Sequence, residues 1–219
     1  MRSRLPRRRG RRLDHLINWA RRYRIVPMPS TTSAASPRLS GPERRAAILA
    51  AAIELALSEG LASLTLRRVG ERAGVASGLV AHYVDGMDAL VAEVFTRISR
   101  EERAEVASID GVAALVRSLT DGSRDAVTLV WVQAWAQAPA NAALAAAVRA
   151  EMDAWQRTLE ERLREAGADD PAPVARVLLG MVDGVNAHAL AGWRDRAEHA
   201  PLLLRSLEAM LGREAGSLG

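Results

Sequence analysis

Cysteine is missing from the 219 residues. Its absence excludes a disulfide framework and a thiolate metal site, and nothing demands an oxidising compartment. Lysine is missing too, since all 30 basic residues are Arg, a usage that fits coding in a GC-rich genome. Aromatic residues make up only 4% while Ala, Leu and Arg abound, which favours helices over sheets. No apolar run approaches the roughly 18 residues that a membrane span needs. The Arg-rich N-terminus is not followed by the apolar stretch of a secretory signal. The expectation is an all-α, cytoplasmic protein with no membrane partner. With 49% hydrophobic residues, it can bury a sizeable core.

The pI of about 10.7 suggests nucleic acid, but the charge is unevenly placed. Residues 1–39 hold 11 Arg against one acid, Asp14; their +10, set against +4 for the whole chain, leaves −6 for the remainder. The high pI therefore belongs to the first 39 residues and does not by itself identify a DNA-binding domain. Residues 1–27 contain "RRRGRR" and "LDHLINWARRYRIV". They read either as a basic arm that grips DNA phosphates or as sequence upstream of a true start at Met28. "PMPSTTSAASPRLSG" reads as a disordered linker, so residues 1–40 form an arm and linker.

Helical periodicity is steady from Pro42. "PERRAAILAAAIELALSEG" opens with Pro, closes on Gly60, and has Ile48, Ala52, Leu55 and Ala56 on one face. Thr65 suits the N-cap of a helix ending near Ala73. Gly74-Val75-Ala76 makes a turn, and a short helix follows over Ser77–Tyr83. Longer helices are expected at about 87–107, after an Asp110 cap, at 123–137, 141–166, 172–193 and 199–212. The reading gives a three-helix unit at 41–86, a helical bundle at 87–212 and a tail at 213–219.

Two short helices joined by a Gly-containing turn make a helix-turn-helix. Val69, Ala73, Val75 and Val80 can close a small core between them. Gly74 permits the left-handed backbone of the turn, and Gly78 would let the second helix approach another backbone. The second helix can be short because its outer face meets a major groove. Ser77, Leu79, Ala81, His82 and Tyr83 are left to face DNA.

"TLRRVGERAGVASGLVAHYVDGMDALV" resembles the DNA-binding signature of the tetracycline-repressor (TetR) family, and within it the choline-responsive betaine-pathway repressor (BetI) branch, with its AGVS-x-G-x-x-x-HYF-x-x-K pattern. "WVQAWAQAPANAALAAAVRAEMDAW" and "LLGMVDGVNAHALAGW" resemble that branch's sensor region. The likeness covers residues 43–212. It implies double-stranded DNA as partner, with Thr65, His82 and Tyr83 on phosphates and Ser77, Gly78 and Leu79 at base edges. Three positions depart from the pattern. Ala76 replaces the usual Ser or Thr cap, for which Ser77 could substitute; Val84 replaces Phe; Met87 replaces a Lys that would meet phosphate.

Enzyme readings find no support. His15, His82, His188 and His199 form no metal pair, and there is no nucleophile elbow or phosphate loop. No cofactor and no metal are expected. Trp131, Trp135 and Trp155 read either as core or as the wall of a pocket in which Glu151 or Asp183 holds a cationic effector; the effector's identity is open. Asp183 and His188, five apart, do not share a helix face. Val174, Leu178, Met181, Val182 and Val185, with Leu203 and Leu207, read either as core or as half of a homodimeric four-helix bundle in which Gly180 and Gly184 allow close approach. The whole reads as a homodimeric, ligand-responsive transcriptional repressor. The alternative is a dimeric helical interaction module with a vestigial helix-turn-helix.

Overall fold

The computed structural model describes residues 39–218. The expected basic arm, the alternative start at Met28 and most of the linker lie outside the described residues. Among the described residues there are nine α-helices and no strand: α1 Gly41–Glu59, α2 Leu66–Ala73, α3 Ser77–Tyr83, α4 Met87–Ala107, α5 Val112–Thr120, α6 Asp125–Gln137, α7 Ala142–Glu165, α8 Pro171–Leu190 and α9 His199–Met210. None of these helices is long and apolar enough to cross a membrane.

Each start and stop in the first unit has a local cause. Ser40 caps α1 in a reciprocal box: the Glu43 backbone N–H donates to its hydroxyl, and its own N–H donates to the Glu43 carboxylate at 2.8 Å. The expected face of α1, Ile48, Ala52, Leu55 and Ala56, is 2% exposed or less. The Thr65 hydroxyl accepts from the Arg68 N–H at 3.2 Å and caps α2. Gly74, at φ 67°, ends that helix in the left-handed region. Val69 and Val80 are fully buried between α2 and α3, and Ala73 and Val75 pack beside them.

Several expectations are corrected. The close backbone approach is at Gly70, not Gly78: a Cβ on Gly70 would stand 2.7 Å from the Val75 carbonyl oxygen, while one on Gly78 would meet nothing within 4 Å. Ser77 does not replace the missing cap, and α3 starts at Ala76 with no side-chain cap bond. Asp110 does not cap α5; Gly111, at φ 79°, holds that place without a side-chain bond. The C-terminal segment is no loose tail. The Glu208 carboxylate accepts the N–H groups of Gly216 at 2.9 Å and Leu218 at 3.0 Å, which hold its carboxyl below the ordinary range.

Helix α4 is 21 residues long, a rise of about 30 Å, and carries the chain from the three-helix unit into the bundle. Its buried stripe, Val91, Val94, Phe95 and Ile98, packs mainly on α7 and also on α1 and α6. Helix α8 packs on α7, α6 and α9. One hydrophobic cluster runs from Ile48 to Leu207, so the two units share a continuous core.

Candidate DNA-reading face and effector cavity

The outer side of α3 presents Ser77, Gly78, Ala81 and His82 to solvent, with Leu79 and Tyr83 half-buried beside them. The His82 and Tyr83 rings meet edge to face at 5.2 Å. Thr65 is exposed at the start of α2. Its oxygen already caps the helix, so its hydroxyl proton remains free to donate. Of the sequence-expected DNA residues, Thr65, Ser77, Gly78 and His82 are therefore exposed, and Leu79 and Tyr83 are half-buried. Helix α2 is tied to α1 by Arg72 on Glu54 at 2.8 Å and Arg68 on Glu59.

In the bundle, a cavity of about 50 Å³ is lined by α4, α5, α6, α7 and α8. Trp131, Trp135 and Trp155 supply its aromatic wall, and Thr128, Met152 and Leu179 fill gaps between them. Trp131 stands 5.6 Å from Trp135 and is backed by the Phe95 ring at 4.7 Å. Glu102 and Asp183 reach the same space, with Asn186 and Arg124 beside them. Burial pushes the Glu102 carboxyl up to about 7, against the Arg124 guanidinium and a hydrogen bond from the Trp131 indole, which favour its ionised form. Burial pushes Asp183 up to about 7 as well. Arg124 does not form a close pair with either; its guanidinium lies 3.3 Å from Glu105. The buried indole N–H groups of Trp135 and Trp155 have no partner. The cavity thus holds more carboxylate than its one guanidinium can balance, against indole faces that attract cations.

A family model for the N-terminal domain of the tetR family of bacterial regulatory proteins matches residues 48–94, and one for the C-terminal domain of BetI-type transcriptional repressors matches residues 110–212. The chain belongs to the TetR family. A BetI 1 transcriptional regulator of Chromohalobacter salexigens is 29% identical over 89 residues, which are 38% of this chain and 44% of that protein. The match thus spans less than half the length of that relative. A transcriptional regulator from Rhodococcus sp. Rha1 has the same fold, with TM-score 0.62 and 23% identity over 78% of this chain and 96% of its own. So does a protein from Saccharomonospora viridis solved in complex with choline, with TM-score 0.61 and 18% identity over 74% of this chain and 94% of its own.

Within this TetR-family frame, some expected site residues change place. Trp131, Trp135, Trp155 and Asp183 line the cavity, but Glu151 does not. Glu151 is buried between α7 and α4, where it accepts from the Ser99 hydroxyl and Arg100, both at 3.1 Å, and lies 3.6 Å from Arg103. The cavity acid missed in the sequence is Glu102. Its signal was present: it falls four residues after Ile98 and seven after Phe95, on the buried stripe of α4. A carboxylate on such a stripe needs a reason.

The expected dimer residues also divide. Leu178, Val182, Leu203 and Leu207 are 5% exposed or less within the single chain, and Val182 faces the cavity. They pack into the core from α8 and α9, where apolar periodicity could not tell the inner face from the outer one, although Leu203 also borders the groove between those helices. Val174, Met181 and Val185 are half-buried. Met181 and Val185, with Gly180, Gly184, His188 and Leu202, line a shallow apolar groove between α8 and α9. Val177 and Leu202, each 49% exposed, continue that surface.

Proposed function

We propose that this TetR-family protein is a ligand-responsive transcriptional repressor that acts in the cytoplasm. It binds a near-palindromic operator as a homodimer and is released by a small organic cation. The observation that carries the effector class is the pairing of two carboxyl groups, the buried Glu102 and the half-buried Asp183, with three indoles around one small cavity. A neutral ligand would leave those acids uncompensated. An alkylammonium offers positive charge to the carboxylates and apolar surface to the rings, which is how aromatic cages select such cations. Choline, bound by a protein of the same fold, is the natural first probe.

DNA recognition follows from the exposed side of α3. Two copies would place their α3 helices in successive major grooves about 34 Å apart. Tyr83, His82 and Thr65 would position the protein on phosphates, while Ser77, Gly78 and Leu79 would read bases. The apolar surface of Val177, Met181 and Leu202, opened by Gly180 and Gly184, is the face on which a second copy would close.

Selection of bound fragments from random duplex DNA tests the first half: a near-palindromic sequence should be enriched. Choline should quench tryptophan fluorescence in the wild type and much less in Asp183→Asn. An absence of enriched sequence would refute the DNA reading. An unchanged response in Asp183→Asn would refute the cage.

A further inference from the structure

We infer that Gln133 is a positioning residue that links the effector cavity to the DNA-reading unit through the turn between α1 and α2. The inference rests on the cavity being the effector site and adds how its state reaches the DNA-binding helices.

Helix α6 carries Trp131 and Trp135 into the cavity wall. Gln133 lies midway between them, about 200° around the helix from each, so it faces the other way. On that side its Oε1 accepts the Ala62 backbone N–H at 2.9 Å. Beside that bond, Gly60 sits at φ 88°, and a Cβ there would come within 2.5–2.8 Å of the Gln133 carboxamide atoms. The amide fills a notch that only glycine leaves open. Two separate features, a hydrogen bond and a missing side chain, therefore seat Gln133 on this turn.

The turn is short and anchored. Residues Leu61–Ser63 form a single 3-10 turn, Leu61 is 1% exposed, and Thr65 then caps α2. Gly70 in α2 in turn abuts the Val75 carbonyl at the start of the α3 connection. A displacement of Gln133 cannot be absorbed by a loose loop; it passes to α2 and from there to α3. One rigid helix thus carries the cavity wall on one face and a backbone anchor of the DNA-reading unit on the other. A rigid element in contact with both sites is one through which coupling can travel.

The test needs neither effector nor operator. Amide hydrogen exchange is measured on the full chain with the cavity wall disturbed by Trp135→Ala, or by Trp135→Phe should the larger truncation unfold the protein. In the wild-type background, exchange across residues 60–70 should change by about fivefold or more, the lower end of ordinary allosteric coupling. In Gln133→Leu the same disturbance should leave that segment unmoved. In Gln133→Glu, which keeps an acceptor oxygen, the response should return. A response that persists in Gln133→Leu, or its absence in the wild type, overturns the inference. Failure of choline to bind would sink the effector class but not this result.

Discussion

The two units of the chain treat charge in opposite ways. In the DNA-reading unit the ion pairs lie at the surface, Arg72 on Glu54 and Arg67 on Glu71 among them, and the only buried polar side chain among its described residues is Ser63. The bundle buries Glu102, Arg124, Glu151, Asn186 and Glu208. Burying a charge costs several kcal/mol unless partners compensate it. Glu151 and Glu208 have their partners within the chain. Glu102 and Asp183 are left with less. The contrast separates carboxylates that hold the fold together from those whose compensation comes from outside.

The largest expected effect is at the compensated acid. Glu151→Ala strands Ser99 and two arginines and should cost about 3 kcal/mol, the low end for a broken buried pair because Arg100 reaches solvent. Glu54→Ala, the surface counterpart, should cost about 1 kcal/mol or less. Urea denaturation of both variants measures the gap, and equal losses would erase the contrast.

Next comes the pH dependence of the uncompensated acids. Glu102 is raised from 4.5, and Asp183 from 3.8, each to about 7. Between those limits the folded state holds more protons than the unfolded one. Their contribution to stability is therefore full below about pH 4 and falls as pH rises toward 7. Glu102→Gln should flatten that slope and be more stable than the wild type at pH 8 by on the order of 2 kcal/mol, with little difference at pH 4. Cation binding runs the other way. Because the cation favours ionised carboxylates, choline affinity should rise from pH 6 to pH 8 and level off. A pH-independent affinity would mean that neither acid faces the ligand.

The next comparison separates the two sides of α8. Leu202→Arg, on the exposed groove, should shift the particle mass in solution toward monomer and preserve the melting temperature. Val182→Arg, inside the bundle, should instead lower the melting temperature. A small effect is expected in the DNA-reading unit as well: Thr65→Ala removes the α2 cap and should cost about 1 kcal/mol by the same denaturation assay.

Legibility in the sequence follows the same division. The helix-turn-helix could be read almost residue by residue because local devices set it: the Thr65 cap, the left-handed Gly74 and the bounds of α3. The seven-residue α3 was expected at its observed limits, Ser77–Tyr83. Two expectations failed there: close approach fell to Gly70 rather than Gly78, and Ser77 does not cap α3. In the bundle, the sequence marks the three indoles, Asp183 and Glu151 as candidates and leaves Glu102 unmarked. Glu151 and Glu102 both lie on apolar helix faces, and only packing shows that two arginines claim Glu151. The stripe on α8 is legible as apolar but not as to which side faces inward, which is why the sequence leaves core and interface open for the same residues. The Gln133 contact joins residues 71 apart in the chain and leaves no local pattern to read.

The most direct test of the account is the release of DNA by choline, followed by fluorescence anisotropy on a duplex recovered by selection, at pH 8. The wild type should dissociate from the duplex as choline is added. The double variant Glu102→Gln, Asp183→Asn should bind the same duplex equally well and remain bound at choline concentrations that empty the wild type. Release of both proteins at the same concentration, or of neither, would contradict the assignment of the two cavity acids to the effector.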